Sequence, residues 1–239
     1  MKISSRQNVW FKRLREAIRE HGEEIVIEGP KAVADALSIG WSPIAIVRRG
    51  LDAPIGEREL AFAPELFDAL SGTKNSQGVI GLFQRPRSSA AALLARRDSI
   101  VVALDAVQDP GNVGTIVRLA AAFDAAGVLL LPGCADPFGP KAIRASAGAI
   151  LTVPVAPVTA VELVESGIPL FAADASGSPA PPPAHGAVLI FGNEGAGISP
   201  ELLKAATPLA IATSRRVESL NVAASAAILL SQSFAQRKT

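Results

Sequence analysis

Five polar residues, carried on three strings of which the first two are glycine-bearing, are the part of this sequence that can do chemistry. "DPGNVGTIVRLAAAF" (residues 109–123) holds Asn112 and Arg118, "VLIFGNEGAGIS" (188–199) holds Glu194, and "IATSRRVESLNVAASAAILL" (211–230) holds Ser219 and Asn221. The first two strings each follow an apolar run, and the first and third lead into alanine-rich helices. Ligands of open α/β sheets bind at such strand ends. Singly, each residue also has a structural reading. Asn112 is an N-cap candidate, Arg118 a surface residue one face away, Glu194 a solvated turn carboxylate, and Ser219 a cap for the closing helix. Together on the loops of one domain, the five favour a binding site.

The layout of strand, glycine loop and helix invites a nucleotide reading, and the loop itself refuses the usual ones. A dinucleotide fingerprint needs G-x-G-x-x-G, whereas Gly111 and Gly114 stand in D-P-G-N-V-G. The phosphate-loop string G-x-x-x-x-G-K-[ST] occurs nowhere in the chain. A nicotinamide-dependent oxidoreductase is therefore disfavoured.

Elements able to position these loops follow from the alternation of apolar runs and helical patterns. Up to residue 85, "SSRQNVWFKRLREAIRE" reads as a capped amphipathic helix with Val9, Leu14, Ala17 and Ile18 inward, followed by a small α/β unit. "QRPRSSAAALLARRD" is the best linker candidate, which gives domains 1–87 and 98–239 around a linker at 88–97. After it, apolar strands alternate with helices, the pattern of a parallel sheet covered on both faces. "PLFAAD" is a strand candidate and the Pro-rich "SGSPAPPPAHG" a surface loop.

Composition narrows the classes further. The chain has 239 residues, 49% hydrophobic and 19% charged, with a formal net charge of +1, so no global field announces a polyanionic partner. Cations gather instead in residues 1–20, where Lys2, Arg6, Lys12, Arg13, Arg15 and Arg19 face only Glu16 and Glu20. Such a helix can contact phosphate, or it can be an ordinary solvated face. One cysteine, Cys134, excludes an internal disulfide, and His21 and His185 lack His or Cys neighbours in sequence, so no metal is expected. With no signal-like core and no membrane-spanning run, a soluble, cytoplasmic protein is expected.

The three strings resemble the three signature motifs of the SpoU (TrmH-like) RNA 2'-O-ribose methyltransferases of the SPOUT superfamily. "DPFGPKAIRASAGAI" is similar to the segment between the first two. More loosely, "EEIVIEGPKAVADAL" and "GTKNSQGVIGLF" resemble a small ribosomal-protein-like RNA-binding domain. The resemblance implies an α/β fold with a C-terminal, trefoil-knotted parallel-sheet domain, S-adenosylmethionine as methyl donor, and a homodimer whose interface helps to shape the site. By position it assigns Gly192, Ile211, Leu220 and Asn221 to the donor, and Asn112, Arg118, Glu194, Ser219 and Asn221 to catalysis. Lys141, Arg144 and Ser146 match a segment facing RNA, and Lys12 and Arg13 are the expected contacts of the first helix. One departure is Ile211–Ala212–Thr213, where the family often has Ile-Pro-Met. The implied reaction is methyl transfer to a ribose 2'-hydroxyl of a structured RNA, ribosomal first and transfer RNA second. A non-catalytic RNA-binding factor with the same fold is the alternative. An antibiotic-resistance role stays open at this stage.

Overall fold

The computed structural model describes residues 1–20, 22–50, 59–73, 75–214, 216–217 and 219–237. His21 lies outside them, as do Arg215 and Glu218 of the third string. The described chain falls into two compact units, Met1–Pro86 with Phe138–Ile143, and Arg87–Pro137 with Arg144–Thr239.

The first unit runs β1 (Lys2–Ile3), α1 (Val9–Glu20), β2 (Glu24–Glu28), α2 (Pro30–Ser38), β3 (Pro43–Arg49), β4 (Glu59–Phe62), α3 (Pro64–Asp68) and β5 (Val79–Gln84). Its sheet is mixed, in the order β1-β4-β3-β5-β2, with β5 antiparallel to both neighbours. Burial alternates along β2, the period-2 signature of a strand with one face in the core. Asn8 starts α1 by accepting the Trp10 N–H at 2.9 Å, a side-chain cap of the expected kind. The buried side of α1 is Phe11 and Leu14, whereas Val9 is 68% exposed. Ala17 and Ile18 pack against the same core as expected, so Val9, the first residue of the helix, is the one position that departs from the expected face.

The second unit begins with α4 (Ala90–Leu94) and β6 (Ile100–Asp105), then α5 (Pro110–Ala122) and β7 (Gly127–Leu130). After α6 (Pro140–Ala145), which straddles the division between units, come β8 (Val155–Pro157), α7 (Ala160–Glu165) and β9 (Leu170–Pro179). β10 (Ala187–Gly192), α8 (Pro200–Ala205), β11 (Thr207–Ala210) and α9 (Val222–Gln236) complete it. The sheet order is β11-β9-β10-β6-β7-β8, and every pair is parallel. β6 is buried at every residue and β10 at all but its last, as central strands covered on both faces require. Since all six strands run the same way, the loops leaving β6, β9 and β10 emerge along one edge. Adjacency of β6 and β10 sets the first and second strings side by side.

Two stretches differ from their sequence reading. Within 88–97, Ser89 caps α4 and Leu93 and Leu94 join the core of the second unit; the stretch carries an amphipathic turn of helix hidden by its basic ends. The Pro-rich segment is not merely a surface loop either. β9 continues through Pro179 and pairs with β11. Beyond it, the carbonyls of Pro182, Pro183 and Ala184 accept hydrogen bonds from Gln236, Ser233 and Arg237 at 2.7, 2.6 and 2.6 Å. Prolines lack an N–H, so this segment can offer α9 acceptors without competing donors. Among the described residues no helix is long and apolar enough to cross a membrane.

Candidate active site

Helix α5 starts at the cluster. Asp109, not Asn112, is its N-cap: Asp109 Oδ1 accepts the Asn112 N–H at 3.0 Å, and Pro110 occupies the first helical position. That placement suits a residue whose missing N–H would have gone unused. Asn112 is thereby freed to act with its side chain. Its Nδ2 donates to Glu194 Oε1 at 2.8 Å, and its Oδ1 accepts from Asn221 Nδ2 at 3.2 Å. Asn221 in turn caps α9, its Oδ1 accepting the N–H groups of Ala223 and Ala224 at 2.9 and 3.3 Å. The cap of the closing helix is therefore Asn221 rather than Ser219.

Glu194 closes the chain of bonds. Besides Asn112, it accepts the backbone N–H of Asp109 on Oε1 and that of Gln108 on Oε2, both at 3.3 Å. Burial opposes its ionisation, but the Asn112 amide and the backbone N–H groups outweigh it and hold the carboxyl below its ordinary value. One carboxylate and two amides thus clasp all three strings together.

The turn around Glu194 has its own supports, which sequence reading passed over. Asn193 Oδ1 accepts the N–H groups of Gly195 and Ala196 at 2.9 and 2.8 Å, and its Nδ2 donates to the Ala106 carbonyl at 2.8 Å. An Asn before E-G-A-G is an Asx-turn signal, legible in the sequence. Ala106 holds a left-handed backbone, φ 53°, an uncommon state for a residue with a Cβ. Asp105, buried at the end of β6, accepts the Ser199 N–H at 2.7 Å. Gly192 is required by close approach: a Cβ there would stand 2.4 Å from the Gly197 carbonyl carbon.

Beside this clasp lies a cavity of about 420 Å³, within the range of small-molecule sites. Its walls combine apolar Phe191, Ile198, Leu209, Ile211 and Leu220 with the backbone of Gly192, Gly195 and Gly197. Glu194, Ser219 and Asn221 also reach it, as does Thr213 from the segment that departs from Ile-Pro-Met. All four expected donor residues, Gly192, Ile211, Leu220 and Asn221, line this one cavity. A cavity of mixed lining, apolar side chains beside backbone polar groups and side-chain donors and acceptors, has the groups that an adenine nucleoside requires.

Other expected residues are placed differently. Arg118 is exposed on α5 and makes no hydrogen bond or ion pair among the described residues. Six positions along a helix put it roughly 120° around the axis from Asn112, so the clasp does not hold it. Ser219 is exposed at the cavity rim. Ser146, expected toward RNA, is fully buried; the Gly148 turn and 3-10 turn Ala149–Leu151 fold over it, and its hydroxyl accepts the Ile150 N–H at 3.4 Å. Lys141 and Arg144 are exposed, as is Lys12. Arg13 is committed within the chain, its guanidinium forked onto Glu24 and lying 5.2 Å from the Trp10 ring. Among the described residues no group of three or more His, Cys, Asp or Glu is placed to hold a metal ion.

Comparison with known proteins adds four findings. Residues 99–231 match the model of the SpoU rRNA Methylase family. The chain is 33% identical to the 23S rRNA (guanosine(2553)-2'-O)-methyltransferase RlmP of Bacillus subtilis, over 92% of each chain. It is 34% identical to the mitochondrial rRNA methyltransferase 3A of Danio rerio, over 59% of this chain and 35% of that one. Among solved structures, the AdoMet-bound rRNA methyltransferase from Sinorhizobium meliloti superposes with a TM-score of 0.87 at 27% identity, covering 99% of this chain and 98% of that one.

Proposed function

The chain belongs to the SpoU rRNA methylase family, and we propose that it transfers a methyl group from S-adenosylmethionine to a ribose 2'-hydroxyl of ribosomal RNA. The observation that carries this reading is the union of the three strings: the Asn112–Glu194–Asn221 clasp adjoins a nucleoside-sized cavity lined by Gly192, Ile211 and Leu220. The Bacillus relative is a ribose 2'-O-methyltransferase and the Sinorhizobium structure carries AdoMet, which supports the donor and the acceptor chemistry.

When bound, S-adenosylmethionine supplies an already activated methyl group. What remains for the protein is to align the hydroxyl and ease the loss of its proton. Glu194 is poorly suited to take that proton, since both its oxygens are engaged and its carboxyl is held acidic. It is a positioning residue that fixes Asn112, the start of α5 and the rim of the cavity. Arg118 is the electrostatic partner: a guanidinium grips a phosphate with two parallel bonds and stabilises a developing alkoxide beside it. It stays charged in proteins, so the proton passes to phosphate or water.

A homodimer belongs to the same proposal. The first half of α9 is apolar but for Ser225, and its less buried side there still carries Ala224, Ala227 and Ile228. A helix of this kind is ordinarily covered. A second copy laid on this face would also give Arg118, which stands off the cavity of its own chain, a site to complete. Residues 1–87 serve in this reading as the RNA-binding part, with Lys12, Arg15 and Arg19 on one exposed side of α1, and a cytoplasmic setting is part of the same reading.

Incubating the full chain with methyl-labelled donor and either ribosomal or transfer RNA lacking modifications tests the assignment. Label is expected in ribosomal RNA and not in transfer RNA. Label confined to transfer RNA, or none despite bound donor, would overturn the substrate.

A further inference from the structure

The cavity is lined by a second carboxylate, Asp174, which takes no part in the clasp. It stands where β9 leaves regular pairing. Pro208 and Leu209, adjacent in β11, pair with Ala172 and Ser178 of β9, so residues 173–177 bulge out between them. Ala173, Asp174 and Ala175 of this bulge form one wall of the cavity.

The bulge is a built feature. Gly177 presses so closely on β11 that a Cβ would stand 2.4 Å from the Pro208 carbonyl oxygen. Within it, Asp174 Oδ1 accepts the Ser176 backbone N–H at 2.8 Å and the Ser176 hydroxyl, an Asx turn that fixes the carboxylate's orientation. Oδ2 has no hydrogen bond among the described residues. Glu194, the other carboxylate on the cavity, has both oxygens occupied. Asp174 therefore offers an anionic acceptor still open to a ligand. The sheet order sets it apart from the clasp: β9 flanks β10 on one side, while β6, which leads to Asn112, flanks it on the other.

We propose that Asp174 is a specificity-determining residue for the methyl donor, its Oδ2 accepting a hydrogen bond from a hydroxyl of the donor's ribose. The inference rests on the donor pocket assigned above and deepens it. A carboxylate is a proven acceptor for ribose hydroxyls in nucleotide sites, and Asp174 lies just past Ala172, the last residue of β9 that pairs with β10. Its place across β10 from Asn112 suits a group of the donor remote from the transferred methyl. The alanines on either side leave it the only ionisable group of that wall.

Calorimetric titration of the full chain distinguishes the outcomes. The ligands are S-adenosylhomocysteine and 5'-methylthioadenosine, which keeps adenine and ribose but lacks the amino-acid portion. Asp174→Asn retains the Oδ1 acceptor of the turn and removes the charge. It is expected to weaken both ligands alike, by about ten- to a hundredfold, the loss of one charge-assisted hydrogen bond. The ligand-free melting temperature should stay within about 2 °C of wild type, as for a surface substitution. Ser176→Ala, which loosens the turn and spares the carboxylate, should weaken both by only a few-fold. Wild-type affinity in Asp174→Asn would overturn the proposal. So would loss confined to S-adenosylhomocysteine, which would assign Asp174 to the α-ammonium. A wild-type chain that binds neither ligand would overturn the donor pocket itself, and this proposal with it.

Discussion

Replacing Gly192 by Ala asks how tightly the second string must close. Gly192 ends β10, and an added Cβ would meet the Gly197 carbonyl carbon at 2.4 Å, with the Gly197 oxygen and Ile198 nitrogen at 2.5 Å. All three are backbone atoms, so no side-chain rotation relieves the contact. Ordinary van der Waals contact for a Cβ begins near 3.4 Å, so the loop must retreat by about 1 Å. Overpacking of this kind costs about 1–3 kcal/mol, which lowers the melting temperature by roughly 2–12 °C in a chain of this size. The same retreat moves the cavity wall and Glu194 with it. A displacement of about 1 Å can cost on the order of a hundredfold in a positioned reaction. Calorimetry with S-adenosylhomocysteine, thermal unfolding and single-turnover transfer measure the three effects. Gly195→Ala is the control from the same turn: its nearest neighbour would be the Asn193 side-chain oxygen at 3.6 Å, so it should melt nearly as wild type. Equal behaviour of the two variants would refute the close approach on which the pocket's shape depends.

Other perturbations separate the parts of the site. Asn221→Asp keeps the acceptor that caps α9 but sets an oxygen against Asn112 Oδ1, so stability should hold within about 1 kcal/mol while transfer falls at least tenfold. Arg118→Ala should lower transfer by about a hundredfold or more and leave S-adenosylhomocysteine affinity unchanged by calorimetry; loss of affinity with normal turnover per bound donor would refute its role. The depressed Glu194 carboxyl stabilises the folded chain fully above the unfolded value, about pH 4.3, and the benefit disappears as pH falls through the lower folded value. The melting-temperature difference between wild type and Glu194→Gln should therefore shrink with acidification below that point. Because Glu194 is exposed, its size at neutral pH should be no more than about 1 kcal/mol. Lys12→Ala should reduce the slope of log affinity for RNA against log salt by about one, which filter binding across a salt series reads directly.

Much of this was legible in the sequence because the second unit obeys simple rules. β6 and β10 are uninterrupted apolar runs between glycine-bearing loops, and such runs read as buried parallel strands without further help. Glu194 stands out in the sequence because a carboxylate in a glycine-dense turn is badly placed for packing, and Asn112 and Asn221 gain weight only by sharing the strand-end loops of one domain with it. Their mutual bonds could not be read, since Asn112 and Asn221 meet only through strand order. Local competition decided the misread residues. Asp109 and Asn221 won the caps because each stands immediately before the first helical turn. Arg13 lost its freedom to Glu24, a partner on the next strand that periodicity does not reveal. Asp174 escaped notice because a bulge against β11, a non-local event, is what carries it to the cavity.

In the proposed reaction the transferred methyl arrives on a ribose oxygen. Ribosomal RNA modified by the full chain with labelled donor, digested to nucleosides and resolved by mass spectrometry, tests it most directly. The expected result is a single 2'-O-methylated nucleoside whose label is lost with Arg118→Ala. A methyl group on a base, with the ribose untouched, would contradict it.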